Sequence, residues 1–573
     1  MEYKVKFKPE NREVRIKDNE TILEAALKNG IHINATCQGK GVCGKCKLIL
    51  KQGIVKEKEK ADELLTEEEI EKNYHIACLT YPKSDLVFEI PDESRLSEHQ
   101  IVNTELYIGE KKNRVKKFAG IAIDIGTTTV SAQLIDLKSG EVVDKHSIFN
   151  KQITYGGDVL SRIEYAKKEH GLEQLNNAVV WTINKLIEKL FIPENFESGN
   201  ADLKYLGKIV VSGNTTMIYL LIKRNPGEIQ KNVQIPEFRH PYYLKAKKLR
   251  VNSGKTTDLY ITPGIGSYVG GDVVADIIAT GIHKQKQICL IIDVGTNGEI
   301  ALGNKEWLMV ASTSAGPAFE GTSTACGMRA TTGAIDKIEI SQIKNKWNVD
   351  FDVRYGVLGN AKPAGICGSG FIHLIPELFL NNIIDYKGKF IKSFIEKSSR
   401  IRVRTAELSD DPGNKMEMET LEFIIAYADE TSTGRIISIT EKDIENIIMT
   451  KAAIYAGAST MTKVGISLDE IEKVYIAGGF GYYMDIEKSI ILGLLPDIDR
   501  DKFKFIGNGS LEGSHRILTS DERKREAEDV AKKATYFDLS TAALGEFTEE
   551  YMKAMFIPHQ DPDRFPSVEK MLE

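Results

Sequence analysis

The sequence predicts a multidomain α/β protein in which a small N-terminal unit precedes a larger, two-lobed unit. The first observation is length, because 573 residues exceed the roughly 250 to 300 residues at which one hydrophobic core stops growing. The second is a group of four cysteines within the first 78 residues. The third is an internal echo, in which the segment that starts at Gly120 resembles the one that starts at Ile288.

Composition narrows the classes of function. The hydrophobic share of 42% is that of a globular protein, and a formal net charge of -6 provides no basic surface for nucleic acid. The longest apolar runs, such as residues 288–292, fall far short of the roughly 20 residues of a membrane helix. The run MEYKVKFKPE alternates like a strand and lacks the apolar core of a signal peptide. We expect a cytoplasmic protein with neither nucleic acid nor a membrane as a partner.

Pattern and composition divide the chain into four segments. Residues 1–92 form a compact unit with alternating strands and a helix over 22–28, which Gly30 ends. Residues 93–117 end in the charged run KKNRVKK and form a linker region. A first lobe is expected at 118–285 and a C-terminal lobe at 286–573. Within the C-terminal lobe, the capping box from Thr440 to Asp443 predicts a helix over 444–461.

The internal echo predicts that one supersecondary unit occurs twice. In each copy an apolar strand leads into Asp-x-Gly-Thr and a second strand follows. A turn then ends the unit, at 138–140 in the first copy and at 303–305 in the second. Two related lobes are therefore expected.

The N-terminal cysteines have the spacing of an iron-sulfur loop. Three of them follow C-x5-C-x2-C and a fourth lies further along: Cys37, Cys43, Cys46 and Cys78. Thiolates hold iron, and three ligands on one loop with a fourth elsewhere suit a 2Fe-2S cluster. Glycines in the loop would let it wrap the cluster while backbone N–H groups point at the sulfides. The spacing departs by one residue from the plant-type pattern and resembles that of vertebrate-type and bacterial monooxygenase ferredoxins.

Two other interpretations of this loop are weaker. A structural zinc site usually takes two paired Cys-x-x-Cys knuckles, and this segment has one. The run from Gly39 to Lys45 nearly matches a phosphate-binding P-loop. However, Cys46 stands where that motif requires Ser or Thr, and no strand-to-helix context follows.

Each copy of the echo carries the residues of a phosphate-binding turn. A carboxylate at the strand end can hold hydrated magnesium, and a tight glycine turn offers N–H and hydroxyl groups to phosphate oxygens. The first copy supplies Asp124, Gly126, Thr127 and Thr128, and the second supplies Asp293, Gly295, Thr296, Asn297 and Glu299. Either turn alone would be weak evidence for phosphate binding, but together they predict a phosphate clamp between two lobes.

A later glycine turn suits the base of a nucleotide. The run AGGFG follows an apolar strand, and its Gly478 and Gly479 would let a planar base approach the backbone. The run PGIGSYVGGD, which ends at Asp272, and the run GICGSG at 365–370 are expected to line the same cleft. A rival dinucleotide site at 264–270 reads GxGxxxG rather than GxGxxG, so that signal is weak.

The order of these motifs resembles the superfamily of acetate and sugar kinases, heat-shock ATPases and actin. The segment GNTTM, which contains Gly213, Asn214 and Thr215, resembles the segment that connects the lobes in that superfamily. The resemblance implies that ATP and Mg²⁺ lie in the cleft between the lobes.

A ferredoxin unit joined to such an ATPase resembles the reductive activators of corrinoid proteins. Three further segments share in the resemblance: GPAFEG at 316–321, GMRA at 327–330 and FIPHQDPDRFPS at 556–567. It implies an N-terminal β-grasp 2Fe-2S ferredoxin domain followed by a two-lobed actin-like ATPase. It also implies ATP-dependent, one-electron reduction of a corrinoid methyl-carrier protein from Co(II) to Co(I), with an upstream low-potential electron donor. The oligomeric state stays open, with a homodimer as one option.

The resemblance also gives each residue an expected role. The four N-terminal cysteines bind iron, and Asp124 and Asp293 organise magnesium and water. The residues expected to contact phosphate are Thr127, Thr128, Thr296 and Asn297. The adenosine is expected to lie beside Gly478 and Gly479. The candidates for the carboxylate that orients attacking water are Asp293, Glu299 and Asp272.

Three other functions remain open. A ferredoxin-regulated small-molecule kinase shares the fold and would phosphorylate a bound substrate. The second is an ATP-driven electron donor to another low-potential enzyme. Dehydratase activators are such donors and share the fold, but they hold a 4Fe-4S cluster between subunits. The third is an electron-transfer module whose ATPase lobes serve only as a docking surface.

Overall fold

A computed structural model describes most of the chain. The described residues are 2–9, 11–35, 39, 41, 44–58, 61, 64–65, 67–91, 94–95, 113–229, 239–321, 324–344, 349–395, 398–407, 417–463, 465–479, 484–539 and 545–573. Cys37, Cys43 and most of the predicted linker region at 93–117 lie outside the described residues.

The N-terminal unit is a mixed sheet that curls around one helix. Its elements are β1 (Glu2–Lys8), β2 (Arg12–Lys17), α1 (Ile22–Lys28), β3 (Lys47–Gln52), β4 (Val55–Glu57), α2 (Glu67–Glu71), β5 (Tyr74–Ile76), β6 (Thr80–Pro82) and β7 (Leu86–Glu89). The strand order is β2-β1-β7-β3-β5, with β1 antiparallel to β2 and parallel to β7. Helix α1 begins at a capping box between Thr21 and Glu24 and ends where predicted. This arrangement is the expected β-grasp fold.

The first lobe is built on a second sheet. Its elements are β8 (Ala119–Ile125), β9 (Thr129–Asp136), β10 (Val142–Phe149), α3 (Val159–Ala166), α4 (Gly171–Leu190), β11 (Leu206–Gly213), α5 (Thr215–Leu221), β12 (Tyr242–Lys245), β13 (Asp258–Ile261) and α6 (Gly271–Thr280). The strand order is β10-β9-β8-β11-β13-β12. Helices α4 and α5 cover one face and bury an apolar core there.

The C-terminal lobe repeats this plan and adds two small sheets. Its elements are β14 (Ile288–Val294), β15 (Gly298–Gly303), β16 (Leu308–Thr313), β17 (Ala334–Lys344), β18 (Val349–Val357), β19 (Gly365–Ile366), α7 (Gly368–Leu380), α8 (Lys392–Ile395), β20 (Ile401–Glu407), β21 (Glu417–Ala426), β22 (Ile437–Thr440), α9 (Glu441–Thr462), β23 (Ile471–Ala477), α10 (Ile486–Leu492), β24 (Phe503–Gly507), α11 (Gly509–Thr519), α12 (Asp521–Lys533), β25 (Thr535–Tyr536), α13 (Glu546–Ala554) and α14 (Pro566–Leu572). The main sheet has the order β24-β23-β14-β15-β16-β25. The predicted capping box of α9 is present.

The two main sheets confirm the internal echo. In the first lobe β8, β9 and β10 form an antiparallel meander, and β11 and β13 then add in parallel beside β8. In the C-terminal lobe β14, β15 and β16 form the same meander, and β23 and β24 add in parallel beside β14. The two copies of Asp-x-Gly-Thr therefore occupy equivalent hairpins, each between the first two strands of its sheet.

Helix α11 connects the two lobes through its packing. Helix α11 follows β24 of the C-terminal lobe but packs on β8 and β11 of the first lobe and on α6. A side chain at Gly513 would place its Cβ 2.0 Å from the backbone oxygen of Ala275, so only glycine permits this approach. The split at 118–285 and 286–573 stays a prediction. Within the described ranges, every helix is too short or too polar to cross a bilayer.

Candidate iron-sulfur and nucleotide sites

Two of the four predicted iron ligands meet at one end of the N-terminal unit. Cys46 precedes β3 and Cys78 follows β5, both side chains are buried, and their Sγ atoms lie 3.5 Å apart. That separation is far longer than the S–S bond of a disulfide, which is about 2.05 Å. It approaches the separation of about 3.8 Å expected for two thiolates on one tetrahedral metal with bonds of about 2.3 Å. The pair therefore fits two ligands of a single iron atom.

The loop before Cys46 has the backbone that a cluster loop needs. Gly39, Gly41 and Gly44 have φ values of +86°, +69° and +62°, in the left-handed region that favours glycine. A Cβ at Gly41 would lie 2.8 Å from Cδ2 of Leu79. Strand β3 follows the loop, so the helix that a P-loop requires is missing at this place in the described chain.

The first phosphate turn is anchored from the far end of the chain. Asp124 lies near the end of β8, and its carboxylate accepts hydrogen bonds from Nδ2 of Asn508 and Oγ of Ser510, each at 2.8 Å. Burial raises the pKa of Asp124, although these two donors act against the increase. Neither Asn508 nor Ser510 was predicted. Asn508 is the N-cap of α11, which the sequence pattern could have indicated, but its partner lies 384 positions away.

The structure brings the two Asp-x-Gly-Thr turns face to face. The Oγ1 atoms of Thr128 and Thr296 lie 3.4 Å apart, one from each lobe. The N–H of Gly126 donates to the carbonyl of Thr129 at 2.9 Å, and the N–H of Gly295 donates to the carbonyl of Asn297 at 3.0 Å. These tight turns point hydroxyl groups from both lobes into one space, as a phosphate clamp requires.

Buried carboxylic acids surround these turns. Burial and the charge of Asp124 raise the pKa values of Asp272 and Asp293 to about 7. Burial and neighbouring carboxylates also raise the pKa of Glu299 and of Asp276, which the sequence did not single out. No N–H group among the described residues donates to the oxygens of Asp276, and its carboxyl lies close to that of Asp293.

These carboxylic acids are the residues that could hold a divalent cation. Crowded carboxylates in a site of low dielectric constant are stabilised either by protons or by a cation. Within the described part of the chain, no three Asp, Glu, His or Cys side chains are arranged to ligate a metal ion. Magnesium would therefore have to arrive with water or phosphate ligands, which is its usual behaviour at nucleotide sites.

The predicted connecting segment lies beside the first turn. Asn214 is the N-cap of α5, and its Nδ2 donates to Oγ1 of Thr127 at 3.4 Å. The hydroxyl of Thr215 donates to the carbonyl of Gly266 at 3.0 Å. A Cβ at Gly213 would lie 2.8 Å from the carbonyl oxygen of Ile125. These contacts support the turn, and a direct contact of this segment with nucleotide stays a prediction.

The predicted adenosine turn borders the second phosphate turn. Gly478 has a φ of +114°, and a Cβ there would lie 2.3 Å from the carbonyl oxygen of Val294. Among the described residues, which leave out 480–483, no atom lies within 4 Å of a Cβ placed on Gly479. The role of both glycines stays a prediction.

Sequence reasoning missed three side chains at the cleft. Arg162 is fully buried and donates to the carbonyls of Thr127 and Gly156, which fixes the first phosphate turn from behind. Glu320 accepts hydrogen bonds from both Thr128 and Thr296. Arg329 lies close enough to Glu320 for their charges to interact. Glu320 and Arg329 belong to the GPAFEG and GMRA segments, which were recognised but given no role.

The N-terminal unit contacts the first lobe beside the meander. Nδ1 of His32 hydrogen-bonds with Oγ1 of Thr154 at 2.9 Å, and Nε2 of Gln174 donates to the carbonyl of Lys28 at 3.0 Å. Burial, followed by the positive charges of Lys151 and Arg329, lowers the pKa of His32 to about 3. His32 is therefore neutral while the unit is docked.

The same unit also contacts the C-terminal lobe. Nζ of Lys45 donates to the carbonyl of Gly327 at 2.9 Å. The guanidinium of Arg435 donates to Oε2 of Glu69 at 2.7 Å and to the carbonyl of Leu64 at 3.2 Å. Lys45 precedes Cys46, so the loop that carries the predicted iron ligands lies directly against the ATPase fold.

Docking of the N-terminal unit should weaken in acid because of His32. An undocked histidine has a pKa near 6.5 and the docked one has a pKa of about 3, so the docked form binds fewer protons. Docking should then lose up to about tenfold in equilibrium constant per pH unit below pH 6.5. Energy transfer between dyes on the N-terminal unit and the first lobe, measured from pH 7.5 to 5.5, checks this.

The matched control is His32→Gln, which keeps a polar side chain that carries no charge at any of these pH values. Its docking should change much less over the same range. An equal change in the wild-type chain and in His32→Gln, with visible absorption showing an intact cluster in both, would contradict the assignment.

The fold and these two sites define an enzyme in which an ATPase fold carries its own iron-sulfur domain. Three family models match the chain in this order: a 2Fe-2S iron-sulfur cluster binding domain at 5–83, the RACo middle region at 119–285, and the C-terminal ASKHA domain of RACo at 287–569. The chain belongs to the RACo family, the reductive activators of corrinoid proteins.

Full-length relatives agree with this assignment. The chain is 30% identical to the corrinoid activation enzyme RamQ of Eubacterium limosum, over 94% of this chain and 96% of the relative. It is 25% identical to a reductase of the Co(II) methylated amine-specific corrinoid protein from Methanosarcina barkeri, over 76% of each chain. A solved structure of a reductive activator for a corrinoid, iron-sulfur protein matches 99% of this chain and all of its own, with 36% identity and a TM-score of 0.67.

Proposed function

We propose that the chain reduces a corrinoid methyl-carrier protein from Co(II) to Co(I) in a one-electron step that depends on ATP. The observation that carries the proposal is the contact of Lys45 with Gly327. It joins the predicted cluster loop to the lobe that holds the second phosphate turn. Electron delivery and nucleotide state are thereby connected within one chain.

The proposed 2Fe-2S cluster would supply the single electron. Cys37, Cys43, Cys46 and Cys78 are its proposed ligands, and the Sγ separation of the last two supports this. Plant-type clusters have potentials near -400 mV, and a Co(I) state is expected to be harder to reach. A conformational coupling of about 1 to 3 kcal/mol would shift a one-electron potential by about 40 to 130 mV. Nucleotide-driven closure could therefore help to make the transfer favourable.

The cleft would hold ATP with Mg²⁺. Phosphate oxygens would accept from the hydroxyl of Thr127, from the side-chain amide of Asn297 and from the backbone N–H groups of Thr128 and Thr296, whose hydroxyls donate to Glu320. Asp124 and Asp293 would organise magnesium and its water ligands, and Gly478 and Gly479 would border the adenosine. Support comes from the meeting of Thr128 and Thr296 and from the buried, uncompensated carboxylates around them. Binding of a cation should displace the protons that these carboxyls hold.

The partner is proposed to be a corrinoid protein, as the names of the relatives from Eubacterium and Methanosarcina indicate for those proteins. An upstream low-potential donor would first reduce the cluster. Nucleotide binding can be coupled to partner binding only if the nucleotide binds one conformation of the chain better than another. We therefore expect nucleotide to change the affinity for the Co(II) form of the partner.

A reconstituted assay tests the proposal. The purified chain is mixed anaerobically with a Co(II) corrinoid protein and a low-potential reductant, with Mg·ATP or without nucleotide. The Co(I) absorption band and the ADP yield are followed together. We expect Co(I) and ADP to appear only when the chain, the corrinoid protein and ATP are all present.

The same assay separates the competing functions. ADP that forms with a small metabolite but without the corrinoid protein would indicate a ferredoxin-regulated kinase. Equal Co(I) formation with and without nucleotide would indicate that the ATPase lobes serve only as a docking surface. Either result would contradict the proposed function.

A further inference from the structure

Glu320 occupies the point where the two phosphate turns meet. Its Oε2 accepts a hydrogen bond from Oγ1 of Thr128 at 2.5 Å and another from Oγ1 of Thr296 at 2.9 Å. These donors come from opposite lobes. The carboxylate therefore accepts both hydrogen bonds only while the two lobes face each other across the cleft.

The backbone around Glu320 is fixed to the C-terminal lobe. Glu320 ends a short 3-10 helix over Ala318–Glu320. A Cβ at Gly368 would lie 2.1 Å from the carbonyl oxygen of Phe319, so α7 approaches this helix as closely as the chain permits. The N–H of Gly316 donates to the carbonyl of Thr296 at 2.9 Å. The position of the carboxylate is thus set by the same segment that forms the second phosphate turn.

A partly buried cation offsets the charge of this carboxylate. Arg329 stacks its guanidinium on the ring of Phe149, 3.8 Å from the centroid, and its charge interacts with that of Glu320. Burial lowers the pKa of Arg329 to about 10, so it stays charged at neutral pH. An acidic side chain next to phosphate would otherwise repel the nucleotide, since like charges at such distances are unfavourable.

The other acidic side chains of the cleft are less suited to accept a proton from water. Burial raises the pKa values of Asp272 and Asp293 to about 7, and burial and neighbouring carboxylates raise the pKa of Glu299 as well. A protonated carboxyl cannot accept a proton, and a magnesium-bound one is a weak base. Glu320 is partly exposed, and its Oε1 takes no part in the two hydrogen bonds from the threonines.

We propose that Glu320 orients and deprotonates the water that attacks the terminal phosphate of ATP; this inference rests on the proposed function. The water gives one proton to the Glu320 carboxylate, and its oxygen bonds to the terminal phosphorus. The bond from that phosphorus to the bridging oxygen breaks, and its electron pair leaves with ADP. The proton then passes to solvent, which leaves inorganic phosphate. Thr128 and Thr296 both donate to this carboxylate only when the lobes meet. Hydrolysis is therefore restricted to the closed cleft.

The test compares Glu320→Gln, Glu320→Asp and the control Glu339→Gln in the full, cluster-loaded chain. Glu339 is an exposed residue of the same lobe. Binding of Mg·ATP is measured by calorimetry, and kcat and KM for hydrolysis are measured with the corrinoid partner present. General bases contribute about 10²- to 10⁴-fold. We expect Glu320→Gln to lower kcat by at least about 100-fold, with the affinity for Mg·ATP unchanged or tighter.

Glu320→Asp keeps the carboxylate but moves it back by one methylene, and should retain part of the activity. The control Glu339→Gln should match the wild-type chain. Hydrolysis by Glu320→Gln within about fivefold of wild type, or equal loss of binding and hydrolysis in both Glu320 variants, would overturn the inference. A wild-type chain that neither binds nor hydrolyses ATP would overturn the proposed function, and this inference with it.

Discussion

Asp124→Asn should abolish ATP hydrolysis and ATP-dependent Co(I) formation while the iron-sulfur domain stays intact. The carboxylate of Asp124 accepts from Asn508 and Ser510, and an amide in its place turns an NH₂ group toward one of these donors. It also removes a charge that would organise Mg²⁺. Removal of one electrostatic contact at a reacting phosphate typically costs on the order of 10²- to 10³-fold in kcat. Hydrolysis assays and the visible spectrum of the cluster measure the two outcomes.

Asp258→Asn is a suitable control for this variant. Asp258 lies in the same lobe, its side chain is exposed, and it pairs with Lys245 at the surface. This control should bind and hydrolyse ATP as the wild-type chain does. Full ATPase activity in Asp124→Asn would show that the first Asp-x-Gly-Thr turn is only a hairpin.

Cys46→Ser and Cys78→Ser should each eliminate electron delivery and spare nucleotide binding. A hydroxyl is a poor replacement for a thiolate ligand of iron, and the two sulfurs lie together in the buried end of the N-terminal unit. We expect the visible bands of the cluster to be lost or strongly altered and Co(I) formation to fall to the rate seen without the protein. Anaerobic reconstitution followed by absorption and electron paramagnetic resonance spectra checks the first point.

The control for the cysteine variants is Cys326→Ala, because Cys326 is a partly exposed free cysteine of the C-terminal lobe. It should keep the cluster and the activity. Unchanged cluster spectra in both Cys46→Ser and Cys78→Ser would contradict the assignment of the N-terminal cysteines.

Local patterns in the sequence predicted the elements of the fold well. Helix α1 was expected from its apolar pattern and the glycine after it, and it spans the predicted residues. Helix α9 was expected from its capping box, and it begins there. The echo between Gly120 and Ile288 gave two equivalent hairpins. Such features depend on neighbours a few positions apart, so sequence alone contains them.

The contacts that complete the site depend on distant segments. Asn508 reaches Asp124 across 384 positions, and Thr128 reaches Glu320 across 192. No periodicity links such pairs, because they are brought together only when the two sheets and α11 pack. Arg162 gave no signal either, since a lone arginine on a helix is usually a solvated side chain. The docking of Lys45 on Gly327 likewise follows from the tertiary arrangement.

One measurement tests most directly whether nucleotide and electron delivery are coupled. The cluster is reduced in advance, excess reductant is removed, and the chain is mixed in a stopped-flow instrument with the Co(II) corrinoid protein and either Mg·ATP or no nucleotide. Cluster oxidation and Co(I) formation are recorded in a single turnover. Coupling of the usual size predicts that Mg·ATP raises the yield or rate of Co(I) by about 5- to 150-fold. Equal traces with and without Mg·ATP would contradict the account.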